Sequence, residues 1–278
     1  MDRKPRTTDQ IKQLVADIKK VREEVNSLPT GSVSRLKRIL LEDAAQDLAE
    51  HIMTLDPVRY PKSVFDPADS EFFGAFAAIA LLGQDLHPLK SIAADRIYGT
   101  GVYALYYYGD YEYYAPIRGT ETPIYVGKAD PPSGARTPRQ QGTGLTERLN
   151  KHQSNIALAE SLSVEDFQCR RLVVASGWQI AAENALIGLF SPIWNKQTTI
   201  LQGFGKHGDD PKTRANKRSP WDTLHPGRKW AADPEQEDAK TIERIREDIT
   251  QHYKIYPPFT DAHAIIQQLI SKVGVDSF

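Results

Sequence analysis

The 278-residue chain is 40% hydrophobic and 26% charged, with a net charge of −1, an ordinary composition for a folded protein with a real core. No run approaches the roughly 20 apolar residues that span a bilayer, and the polar start MDRKPRTTDQ lacks a secretory pattern, so a cytoplasmic protein without membrane attachment is expected. Cys169 is the only cysteine, which excludes disulfides within the chain and cysteine-built zinc sites.

In chain order, Ile11, Leu14, Val15, Ile18 and Val21 recur at helical spacing and predict a helix over 8–28. Pro29 and Gly31 break it. A second helix over about 33–54, with Leu36, Ile39, Leu40, Ala44 and Leu48 on one face, completes an αα-hairpin. Pro57, Pro61 and Pro67 punctuate an extended stretch. The run 71–83 is apolar nearly all round and reads as a buried helix.

GVYALYYYG (101–109) is β-branched and aromatic and reads as a strand, and PIYVGKA (123–129) as a second, antiparallel to it. A Pro/Gly/Arg loop (130–144) leads to a helix over 145–161. FQCRRLVVA (167–175) is a third strand, and 178–190 is a helix ended by Ser191-Pro192. Helices near 235–253 and 260–273 follow a basic loop. The expected organisation is an N-terminal hairpin (1–56), a helical cover and linker (57–98), an α+β core (99–197) and a basic loop with C-terminal helices (198–278).

Within the core, Gly101-Val102-Tyr103 lies on the first strand and Tyr125-Val126-Gly127 on the second. Arg148 and His152, four apart, share one helix face. Glu183 lies on the last core helix beside Ile180, Leu186 and Ile187, where a charge needs a cation or a hydrogen bond. Asn195 follows that helix. The histidines show no paired ligand spacing, so a metal is expected on carboxylate oxygens, as for Mg²⁺-like cations.

This ordered set resembles the GIY-YIG nucleases, with valine replacing isoleucine in both halves of the name motif, over roughly 99–197. With the stretches 60–74 and 101–114, it is similar to the small type II restriction enzymes of that family that recognise CCGCGG. The resemblance implies a small three-stranded antiparallel core flanked by helices, cutting double-stranded DNA with one divalent cation, Mg²⁺ or Mn²⁺. Tyr103 would help take a proton from the attacking water, working with His152. Tyr125 would orient the phosphate, Arg148 would stabilise its charge, Glu183 would hold the metal, and Asn195 would support the site.

Arginine can pair bidentately with guanine in the major groove. Lys128, Arg136 and Arg139, and beyond the core Lys206, Arg214, Lys217, Arg218 and Arg228, are therefore the expected DNA contacts. A palindromic target implies a two-fold homodimer, for which the N-terminal hairpin is one candidate element. Restriction activity implies a companion DNA methyltransferase. The alternatives on this fold are a repair or homing nuclease, and a DNA-binding protein without catalysis.

Overall fold

The computed structural model describes residues 7–29, 31, 33–56, 58, 70–205 and 217–273. Residues 1–62 form one compact unit and 63–277 a second. The first holds α1 (Thr7–Asn26) and α2 (Arg35–Met53), and neither helix buries a residue. Ser34 caps α2, its side chain accepting from the backbone N–H of Lys37. The apolar positions of both helices are exposed: Leu14 at 59% and Leu40 at 68%.

In the second unit, α3 (Ser70–Leu82) precedes β1 (His87–Pro88), β2 (Gly101–Tyr107) and β3 (Tyr125–Ala129). Then come α4 (Pro138–Gln141), α5 (Gly144–Ala157), β4 (Phe167–Val173), α6 (Gln179–Phe190), α7 (Pro220–Leu224), α8 (Ile242–Ile255) and α9 (Ala262–Val273). The sheet has four strands in the order β1-β4-β2-β3, all antiparallel. The sequence predicts three strands. The fourth, β1, is two residues pairing His87 with Cys169, too short to leave a periodic signal.

β2 is central and buried along its whole length, which explains its unbroken apolar and aromatic run. Its alternation divides the core. Tyr103, Leu105 and Tyr107 join the cluster containing Leu149 of α5, Trp221 of α7 and Ile249 of α8. Val102, Ala104 and Tyr106 join the cluster of α3, α6 and α9, with Leu81, Leu186 and Ile265. Helices α3 and α6 approach closely because Gly74 has no side chain: a Cβ there would lie 2.3 Å from Cβ of Ala185.

The predicted helix near 235–253 begins only at Ile242, capped by Thr241. The preceding acidic run turns back on the basic tract instead. Arg218 bridges Asp238 through the backbone, and the side-chain pairs Arg218–Asp238 (2.8 Å) and Lys217–Glu237 (3.1 Å) staple the two segments.

Candidate active site

The three core strands and α5 set the geometry. β2 pairs with β3 so that Tyr103 faces Gly127. A Cβ on Gly127 would lie 2.4 Å from the hydroxyl of Tyr103, so only glycine leaves room for that ring to pass beneath β3. The hydroxyl then lies 2.7 Å from Nε2 of His152 on α5. The rings of Tyr125 and His152 meet edge to face at 5.0 Å, and those of Tyr103 and Tyr125 lie 6.3 Å apart.

β3 is an edge strand, and Asn195 occupies the place of its missing neighbour. Its Nδ2 donates to the Val126 carbonyl (2.8 Å), and its Oδ1 accepts from the Val126 N–H (2.9 Å). Asn195 is thereby a side-chain extension of the ladder that fixes the residue between Tyr125 and Gly127.

Burial orders the site in depth. Tyr103 and His152 are sealed, at 0% and 1% exposure, whereas Tyr125, Lys128, Arg148 and Glu183 are half-buried. Burial drives the Tyr103 phenol well above its usual range, with Tyr125 pushing it further and Arg148 opposing through its charge and a hydrogen bond. Burial likewise lifts Tyr125 to about 12, with Arg148 opposing and Glu183 adding to the rise. His152 is pushed down to about 3, chiefly by burial and then by the charges of Arg148 and Lys151. The pair therefore rests as neutral phenol and neutral imidazole. Nδ1 of His152 is buried and has no hydrogen-bond partner among the described residues.

Burial raises the Glu183 carboxyl above its usual range; Lys128 opposes this, Asp130 adds to it and Arg148 opposes it. Its carboxylate makes no hydrogen bond or ion pair among the described residues. Of the apolar residues predicted to share its face, Leu186 and Ile187 are buried and Ile180 is 58% exposed, so Glu183 sits between the core and the exposed N-terminal turn of α6. No group of three or more His, Cys, Asp or Glu side chains forms a metal cage among the described residues. A partly desolvated, unpaired carboxylate fits a hard cation that keeps water and substrate oxygens as its other ligands.

The DNA-contact expectations fare differently from one residue to the next. Arg136 is exposed on the loop after β3 and Arg139 is exposed on α4. Lys128 is paired with Asp130. Lys206 and Arg214 lie outside the described residues. Lys217 is paired with Glu237. Arg218 is committed to its own fold, donating to Asp238 and to the carbonyls of Ala231 (2.9 Å) and Asp233 (2.8 Å). Arg228 corrects the expectation outright. It is 1% exposed, paired with Asp222 and bonded to two carbonyls, so its guanidinium is turned into the fold and away from solvent. Tyr103 is sealed behind half-buried neighbours, among them Tyr125.

The residue that the sequence reading passed over is Phe204. Its ring stacks on His152 at 4.7 Å and 20° and meets Tyr125 edge-on at 5.1 Å. The one local signal was its setting, GFG, a glycine-flanked aromatic at the start of a basic tract.

The family model described as the Eco29kI GIY-YIG domain matches residues 95–253. That span is more than half of the chain, and it contains every residue of the cluster as well as Phe204, Asp222 and Arg228. No curated protein matches the chain. Among the described residues, no helix is long and apolar enough to cross a membrane.

Proposed function

The chain belongs to the Eco29kI GIY-YIG family of restriction-type nucleases, and on that premise we propose that it is a type II endonuclease cutting both strands of a specific DNA site. The observation that carries the reading is the meeting of Tyr103, Tyr125 and His152 beside Arg148 and an unpaired Glu183. Five polar groups from four elements converge there.

In this reading the scissile phosphate lies against Arg148, whose planar guanidinium offers paired donors to its oxygens. Tyr125, half-buried above Tyr103, orients the phosphate and admits one water. That water loses a proton to the Tyr103 oxygen as the phenolic proton of Tyr103 passes to Nε2 of His152. A neutral imidazole accepts that proton, and the phosphate's negative charge offsets the Arg148 charge that disfavours an imidazolium. Glu183 would hold Mg²⁺ or Mn²⁺, which when bound supplies positive charge to the leaving 3′ oxygen. Asn195 keeps Tyr125 in register by fixing Val126.

Resemblance in the flanking stretches makes CCGCGG the proposed site, with the exposed Arg136 and Arg139 as readers of guanine edges. A palindrome favours action as a homodimer, and a companion methyltransferase would protect host DNA. Plasmid digestion with Mg²⁺ tests the reading. Discrete fragments with ends mapping to one sequence are expected. Binding without cleavage, or nicking without sequence preference, overturns it.

A further inference from the structure

Arg228 and Asp222 form the most deeply buried ion pair among the described residues, with side chains 0% and 2% exposed. Removing two charges from water costs several kcal/mol per ion unless partners satisfy them. Here they are well satisfied. Nε of Arg228 donates to Asp222 at 2.5 Å, and Oδ2 of Asp222 accepts from the Ser219 hydroxyl. The guanidinium lies over the rings of Trp221 at 4.3 Å and Trp230 at 4.9 Å. The two terminal nitrogens are both aimed at one turn: Nη2 reaches the Gly203 carbonyl at 3.0 Å and Nη1 the Phe204 carbonyl at 3.2 Å.

The Phe204 carbonyl has a second donor. Asn155, three residues after His152 on α5, gives it Nδ2 at 3.1 Å. One carbonyl is thus gripped from the helix that carries the histidine and from the segment that carries Arg228. Its own ring covers the imidazole. The next residue, Gly205, passes so close to Tyr125 that a Cβ would lie 3.1 Å from the hydroxyl.

We propose that the Arg228–Asp222 pair is a positioning device for the catalytic centre: it locks the 203–204 turn so that Phe204 seals His152 and fixes its ring plane against Tyr103. A purely structural brace would serve as well with apolar side chains of similar volume, and such replacements are often neutral or stabilising. The forked guanidinium instead fixes two adjacent carbonyls in direction as well as distance. That directional constraint sets the tilt of the phenyl ring over the imidazole. The catalytic half of this inference rests on the nuclease reading, and the structural half does not.

The test uses the full-length protein with Arg228→Lys, which keeps the charge and loses the fork. Phe204→Leu is the second variant, which leaves every anchor in place and removes the stacked ring. The His152 imidazole resonances are recorded by NMR without DNA, with His252, bonded to the Ser191 carbonyl on α8, as an internal reference. Both variants are expected to shift the His152 resonances downfield by loss of the ring current while His252 stays in place. With DNA, kcat is expected to fall roughly 10- to 100-fold with KM within about twofold, the cost of a reacting group displaced by a fraction of an ångström. An unmoved His152 in Arg228→Lys overturns the proposal, as does an equal shift of His252, which would mark a general core brace. A rise in KM at constant kcat would also overturn it, by assigning Arg228 to DNA grip. If the parent protein cuts no DNA, the nuclease reading fails while the resonances still decide whether the clamp sets the histidine.

Discussion

The core holds two tyrosine–histidine pairs of the same local design. In one, the Tyr103 hydroxyl lies 2.7 Å from Nε2 of His152; in the other, the Tyr114 hydroxyl lies 2.5 Å from Nε2 of His225. Both histidines are buried and both are pushed down to about 3, chiefly by burial. They differ in what surrounds them. Nδ1 of His225 is bonded to the Ser161 hydroxyl at 2.6 Å, and Trp194 donates to Tyr114 at 2.9 Å, so the network closes on itself. His152 keeps an unpartnered Nδ1, and its tyrosine abuts Arg148. Complete hydrogen bonding makes the His225 network inert and stabilising. An unpartnered ring nitrogen in a cluster with an arginine and an unpaired carboxylate marks the His152 pair as the candidate for chemistry.

The largest expected effect removes what the His225 network lacks altogether. Glu183→Ala should abolish cleavage while DNA affinity stays within about tenfold, because the cation and not the grip is lost; time courses beside a binding titration read both. Undiminished cutting would take Glu183 out of the mechanism. The next contrast exchanges the two tyrosines. Tyr103→Phe should slow cleavage by about 100-fold or more, whereas Tyr114→Phe should leave it nearly unchanged. The stability order should be the reverse. Tyr114→Phe leaves both Trp194 Nε1 and His225 Nε2 unbonded, at about 1–3 kcal/mol per buried group, and Tyr103→Phe does so for His152 Nε2 alone. Urea melts and cleavage rates on the same preparations check the crossing. Parallel losses in both columns would erase the distinction between the pairs.

Much of the candidate site was legible in the sequence, and little of what supports it was. β2, β3, α5 and α6 announce themselves through alternation or helical spacing, and the order of Tyr103, Tyr125, Arg148, His152 and Glu183 along them is local information. Phe204, Asn155 and Arg228 act through partners distant in sequence, Asn155 reaching Phe204 across 49 residues, which periodicity does not encode. Charge counting actively misled at Arg228. In a tract of bases it reads as one more solvated cation, yet the flanking WDTLHPGRKW supplies an acid and two indoles at reach of its guanidinium. The same holds for Arg218, whose acidic partners lie beyond the apparent end of the basic tract. The two N-terminal helices were legible from their spacing, but their apolar faces bury no residue.

The smallest effect separates the histidines by what they share. The unfolded chain binds a proton on each near 6.5, while the folded protein holds each neutral to about 3. Between those limits the unfolded state carries more protons, so stability rises with pH and falls as pH drops below 6.5, by up to about 1.4 kcal/mol per pH unit for each histidine. His225→Gln removes one of these contributions. At neutral pH it should be less stable than the parent, having lost a well-bonded ring, and at pH 5 the gap should narrow by about 2 kcal/mol. His152→Gln should narrow the gap by a similar amount, because burial and not function sets that shift. Cleavage at neutral pH then divides them, lost in His152→Gln and retained in His225→Gln. A gap that stayed constant with pH in either variant would mean that histidine titrates normally in the folded protein, and the seal drawn over it would have to be redrawn as open to solvent.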